Sequence, residues 1–271
     1  MQISEQHGGR WILKHNGHCY LVPADLGRKI RSGQCPAELS DVLESAGVRT
    51  SRAVRLKVQL LSPILVRSIS EKLLCLVSNY RLACQLIISI ALLMLPFAPT
   101  TKSITPMPFL LFLFSAFWHE LGHATALVYH GRRPGAIGAG VLLIFPVLWC
   151  DVTATALLSR SQRVRVDLCG MIFQLSIAAI FHLLAMISQT PEFETASRLC
   201  IMAVLWNLIP FLRTDSYWLL CDLLKLNSLW KLPENATVSI RWVVYAYRSG
   251  KILFLTAVFG GLIWNVVQFL R

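Results

Sequence analysis

The apolar stretch from about Met107 to Tyr129 contains His119, Glu120, Leu121, Gly122 and His123, an HExxH spacing. Nothing else in the chain limits the fold as tightly, because this pattern has chemical meaning only on a helix. Residues four apart share a helix face, so both imidazoles can reach one metal ion while Glu120 projects beside it. That is the arrangement of zinc peptidases. With seven His among 271 residues, chance supplies about 0.005 occurrences of the spacing, so coincidence is a poor alternative. The better alternative is a buried ion cluster in a transporter helix, since ionisable residues within apolar helices also serve ion pathways.

Composition sets the expected surroundings. Hydrophobic residues make up 55% of the chain and charged residues 15%, against about 25% charged in soluble proteins. Apolar runs near 82–98, 107–129, 166–187, 196–212 and 252–270 approach the roughly 20 residues that cross a bilayer. The expected fold is an all-α polytopic membrane protein with about five transmembrane helices, plus a small N-terminal α+β cytoplasmic domain. The Gly-rich segment from Gly135 to Cys150 reads as a re-entrant hairpin or strand pair. The net charge of +12 distributes between the apolar runs as the positive-inside rule requires, so nucleic acid is not an expected partner.

No early apolar core of a signal peptide is visible, which predicts a cytoplasmic N-terminus in a multi-pass protein of a bacterial inner (plasma) membrane. Residues 1–60 read as a small soluble domain. Arg10 to Lys14 and Cys19 to Val22 flank Asn16-Gly17, a strong hairpin signal. Two short helices follow, near 23–30 and 36–46, each with a proline in its first turn. Residues 61–81 belong to a basic amphipathic stretch that begins near residue 51 and could lie on an anionic surface. Residues 82–271 then form the transmembrane metallopeptidase domain. Eight cysteines (Cys19, Cys35, Cys75, Cys84, Cys150, Cys169, Cys200, Cys221) lack CxxC spacing and read as small core residues.

Catalytic zinc takes three protein ligands and an open position, so His119 and His123 need a third partner. The extended pattern HExxHxxGxxH fails at Ala126 and Tyr129. His130 comes one residue late, and His182 stands alone in an apolar run. Asp151 and Asp167 adjoin Arg-rich sequence. Asp215 follows Asn207-Leu208-Ile209-Pro210, where Pro210 would break the helix and let the chain turn. The alternation of charges puts Asp215 on the same side as the motif, toward the cytoplasmic half.

These residues carry a resemblance. His119-Glu120-Leu121-Gly122-His123 and Asn207-Leu208-Ile209-Pro210 followed by Asp215 resemble the two motifs of the site-2-protease family of intramembrane zinc metallopeptidases, over about residues 82–224. Two departures stand out: Ser216 replaces the Gly after the Asp, and Gly170-Met171-Ile172-Phe173-Gln174 replaces the family's GPxxN element. Segments 130–138, 145–146, 151–153 and 163–170 are similar to the branch of peptide zinc metalloproteases from bacterial clusters that make modified ribosomal peptides (RiPPs). Residues 1–60 are similar to PqqD-like domains that bind leader peptides.

The resemblance implies zinc bound by His119, His123 and Asp215, with Glu120 as general base. Asn207 is a candidate substrate-binding residue, and an extended substrate could add a strand to the Gly135–Leu148 segment. The expected function is hydrolysis of a peptide bond in a membrane-associated, cytoplasmically made peptide, as in maturation or leader processing. Expected partners are the peptide or protein substrate, the lipid bilayer, and a peptide exporter or modification enzymes. Rival readings are a regulatory protease of a signalling protein, and a non-enzymatic transporter or immunity component on a peptidase scaffold.

Overall fold

The computed structural model describes residues 2–6, 10–15, 18–22, 28, 31–32, 54–96, 105–142, 145–211, 214–226, 229–230 and 237–269. The chain divides into two compact units, Met1–Ile201 and Met202–Arg271.

The first unit opens with an antiparallel sheet of β1 (Gln2–Gln6), β2 (Arg10–His15) and β3 (His18–Val22), in that order. His15 pairs with His18, so the hairpin expected around Asn16-Gly17 forms with two residues between its strands. The short helices expected near 23–30 and 36–46 lie almost wholly outside the described residues. Within the basic stretch that follows lie β4 (Val54–Leu61) and α1 (Pro63–Leu73). Ser62 caps α1 through its hydroxyl, and Pro63 occupies the first turn, where a missing N–H costs nothing.

After α2 (Asn79–Leu93) and α3 (Met107–Tyr129), the Gly-rich segment forms β5 (Ile137–Leu142) and β6 (Phe145–Cys150). This is the strand pair of the two alternatives read from sequence, and β4 joins it in an antiparallel order β4-β5-β6. Gly138 meets a demand no side chain could: a Cβ there would run into the Val58 carbonyl and the Trp149 ring. The sheet packs on α3 through a shared core in which Ile137 meets Val66, Leu121 and Ala124.

Helix α4 (Arg160–Ser188) is the longest of the first unit. The backbone N–H of Ser159 donates to Gln162 Oε1 at 2.9 Å, half of a capping box, and Gln189 ends the helix in the left-handed conformation. Its core contacts with α3 include Phe173, Cys169 and Val166 against Ala126 and Leu127. Helix α5 (Pro191–Asn207) starts with Glu192 and Glu194, acidic residues that suit a helix N-terminus. Ser197 then fastens it to the Ala178 carbonyl of α4 at 2.8 Å.

The second unit holds the end of α5, then α6 (Asp215–Leu223) and α7 (Val238–Phe269). Its core gathers Tyr217 and Cys221 of α6 with Val244 and Tyr247 of α7, and Phe211 packs against them.

Two expectations are corrected here. The chain is not an all-α protein of five membrane spans, because two three-stranded sheets accompany its helices. Among the described residues one helix, α4, is long and apolar enough to cross a membrane, and 61% of its most apolar window is buried inside the protein. Counting the α1/α2 pair, bent by 79°, raises the number to two at most. The physical reasons lie in the other apolar runs. Helix α2 has 15 residues, about 22 Å at 1.5 Å per residue, against a hydrocarbon core of ~30 Å. Helix α3 carries His119, Glu120 and His123, and α5 carries Glu192, Glu194 and Arg198. The multi-pass localisation in an inner membrane, with its cytoplasmic N-terminus, is corrected with those five spans.

Candidate metal centre

The HExxH residues occupy the middle of α3, where the helix turns its face to α4. Leu121, Gly122, Ala124, Ala126 and Leu127 are buried there, and His119 and His123 are only 6% and 5% exposed. Glu120, between them, is half-buried. Two contacts set the register of the helices. Trp118 stacks on Phe173 at 5.7 Å between centroids, and Gly122 lies against the Cys169 carbonyl. One turn on, His123 reaches Val166, so α3 and α4 run antiparallel.

This register fixes the chemistry of the His123 ring. Its Nδ1 lies 2.7 Å from the Val166 carbonyl oxygen, which can only accept, so Nδ1 carries the hydrogen and donates. Nε2 is left with its lone pair, the atom a metal would use. That Nε2 lies 3.1 Å from Nε2 of His119, with the two rings edge to face at 4.7 Å. Both imidazoles thus aim their Nε2 atoms at one place, and a nitrogen pair of this kind fits a zinc-type ion.

Beside the motif stands Cys150, the last residue of β6. Burial pushes its thiol well above the ordinary range, and the negative charges of Glu120 and Asp151 push it further. The end of β6 is therefore within electrostatic reach of Glu120.

Asp215 is the first residue of α6, directly after the capping residue Thr214. A carboxylate at that position suits the positive end of the helix dipole. Two hydroxyls hold the preceding turn: Thr214 Oγ1 donates to the Ile209 carbonyl at 3.0 Å, and Ser216 Oγ donates to the Asn207 carbonyl. Ser216 thus has a structural use of its own where the resembled family has glycine. Asn207 ends α5, half-buried. His119 and His123 supply the two imidazoles of a candidate metal site.

The other candidates have other uses. Asp151 Oδ1 accepts from the backbone N–H of Thr153 at 3.1 Å and from its hydroxyl, capping a short turn after β6. His182 is fully buried in α4 with Nδ1 3.6 Å from Glu194 Oε2, and Glu194 is bridged in turn by Arg198 at 3.0 Å. Glu194 is itself only 3% exposed. His130 closes α3 as its capping residue, and its imidazole is held below the ordinary range by burial and by Arg165. Asp167 is buried in α4 next to Val166. The residues that sequence reading missed are Val166 and Gly170, whose parts in seating His123 depend on a backbone carbonyl and an absent side chain. Their one sequence signal is a spacing of four on α4, matching that of the histidines on α3.

No family model matches the chain, and no solved structure matches it. It does have a distant homologue. This is the "putative peptide zinc metalloprotease protein YydH" of Bacillus subtilis, 29% identical over 126 residues, 46% of this chain and 50% of the relative. The chain spans about half the length of that relative.

Proposed function

We propose that this chain is a zinc-dependent peptidase that hydrolyses a peptide bond in a small peptide substrate. The observation that carries the reading is the convergence of His119 and His123 on one point, 3.1 Å apart at their Nε2 atoms, with Glu120 between them in sequence. Two imidazoles joined by a carboxylate are one of the donor sets of catalytic zinc. Asp215 is the carboxylate we assign as third ligand.

A zinc ion held by these side chains supplies an open coordination position, lowers the pKa of water to about 7 and polarises a carbonyl. Glu120 takes a proton from the water that attacks the peptide carbonyl, and then passes it to the leaving amine. Its half-buried position suits that exchange, since it keeps contact with water while neighbouring side chains limit solvation. Val166 holds the His123 ring so that no ligand proton has to be displaced from Nε2. Asn207 is the residue we assign to the substrate main chain, at the end of the helix that leads into the Asp215 turn.

The similarity to a relative named as a peptide zinc metalloprotease supports the substrate class. A peptide processed during maturation, by removal of a leader or cleavage of a precursor, is the finer assignment we propose.

The test is Glu120→Gln in the zinc-loaded protein against a quenched-fluorescence peptide library. The variant should retain zinc and lose hydrolysis by about 10²–10⁴-fold, the usual share of a general base. Hydrolysis at the wild-type rate would rule out this mechanism.

A further inference from the structure

We propose that Gly170 is a positioning residue of the metal centre: the side chain it lacks is the space in which the His123 imidazole sits. This inference rests on the zinc-site reading above. A Cβ built on Gly170 would collide with Nε2, Cε1 and Cδ2 of His123, three atoms of one ring. The colliding group is not a flexible chain end. The ring's Nδ1 is held by the Val166 carbonyl at 2.7 Å, and His123 is 5% exposed. It has no room to withdraw without giving up that hydrogen bond.

Val166 and Gly170 are four residues apart on α4 and therefore on one face of it. The first supplies an acceptor that sets the tautomer, and the second supplies a floor without a side chain that sets the ring's position. Together they direct Nε2 of His123 toward Nε2 of His119. Gly170 sits in the interior of a 29-residue helix, where glycine is less favourable than alanine. The seat for the imidazole is the return on that cost. Gly122 differs in kind, because its Cβ would meet the Cys169 carbonyl rather than a ligand ring.

The experiment compares wild type, Gly170→Ala, His123→Ala and the double variant, by zinc affinity in competition with a chromophoric chelator and by urea unfolding. Gly170→Ala should weaken zinc binding by about 10–100-fold, the range for loss of a group that orients a ligand. It should also unfold at lower urea than wild type. In the His123→Ala background the same substitution should cause no loss of stability, because the added methyl enters the space the ring vacates. Equal zinc affinity in Gly170→Ala and wild type overturns the proposal, and so does an undiminished stability loss in the double variant. Should wild type bind no zinc, the zinc-site reading fails while the unfolding cycle still judges the seat. Should Gly170→Ala not fold, the double variant decides: recovery of folding in the His123→Ala background supports the seat, and continued failure to fold there overturns it.

Discussion

Gly122 lies so close to the Cys169 carbonyl that a Cβ added to it would come within 2.7 Å of that oxygen. Helices α3 and α4 meet backbone to backbone at this point, one residue from His123. Substitution Gly122→Ala has no side-chain end to displace, so the helices must separate. We expect a loss of about 1–3 kcal/mol, measured by urea unfolding, together with weaker zinc binding as Val166 and His123 are drawn apart. Unchanged stability would mean that the helices are not this close.

The buried pair His182 and Glu194 joins α4 to α5 without belonging to the metal site. Removing the imidazole in His182→Leu leaves a buried carboxylate held by Arg198 alone from these two partners. Loss of a polar neighbour from a buried group costs about 1–3 kcal/mol. Chemical denaturation gives the loss, and metal analysis should return the wild-type zinc content. A fall in zinc with unaltered stability would make His182 a ligand instead.

The buried thiols predict an alkaline limit to stability. Burial raises Cys169 from 9.0 to about 12 and Cys200 to about 11. Below pH 9 both states keep these protons, and the thiols contribute nothing to the pH dependence. Above pH 9 the unfolded chain loses them while the folded chain keeps them, so stability falls as pH rises toward the folded values. The slope is at most about 1.4 kcal/mol per pH unit for each thiol. Unfolding midpoints at pH 8 and pH 10 should therefore diverge in wild type and diverge less in Cys169→Ala. An equal divergence in both would show that Cys169 ionises as readily folded as unfolded.

The parts of this molecule that sequence revealed are those encoded by neighbours in the chain. HExxH needs only a helix, and residues Met107 to Tyr129 supply one. The Asn16-Gly17 hairpin and the Gly135 to Cys150 strand pair are likewise local events. Strand β4 was hidden because Arg55-Leu56-Lys57-Val58 mixes basic and apolar residues in a way that suits either a surface helix or a strand. Its pairing with β5, some 80 residues on, is what decides. The five spans failed because hydropathy counts apolar residues without regard to where helices stop. Helix α2 ends at Leu93, and the apolar face of α4 is largely covered by its own protein. His182 and Glu194 sit on separate helices, and nothing in their spacing announces a pair. Val166 and Gly170 act through a carbonyl and an absence, which no motif of side chains can record.

The most direct test of the account is the zinc content of the purified protein, measured by elemental analysis for wild type, His119→Ala, His123→Ala and Asp215→Ala. Wild type should carry one zinc per chain, and each variant should carry a small fraction of that after dialysis against a mild chelator. Equal zinc in wild type and in both histidine variants would contradict a metal centre at His119 and His123, and with it the proposed chemistry.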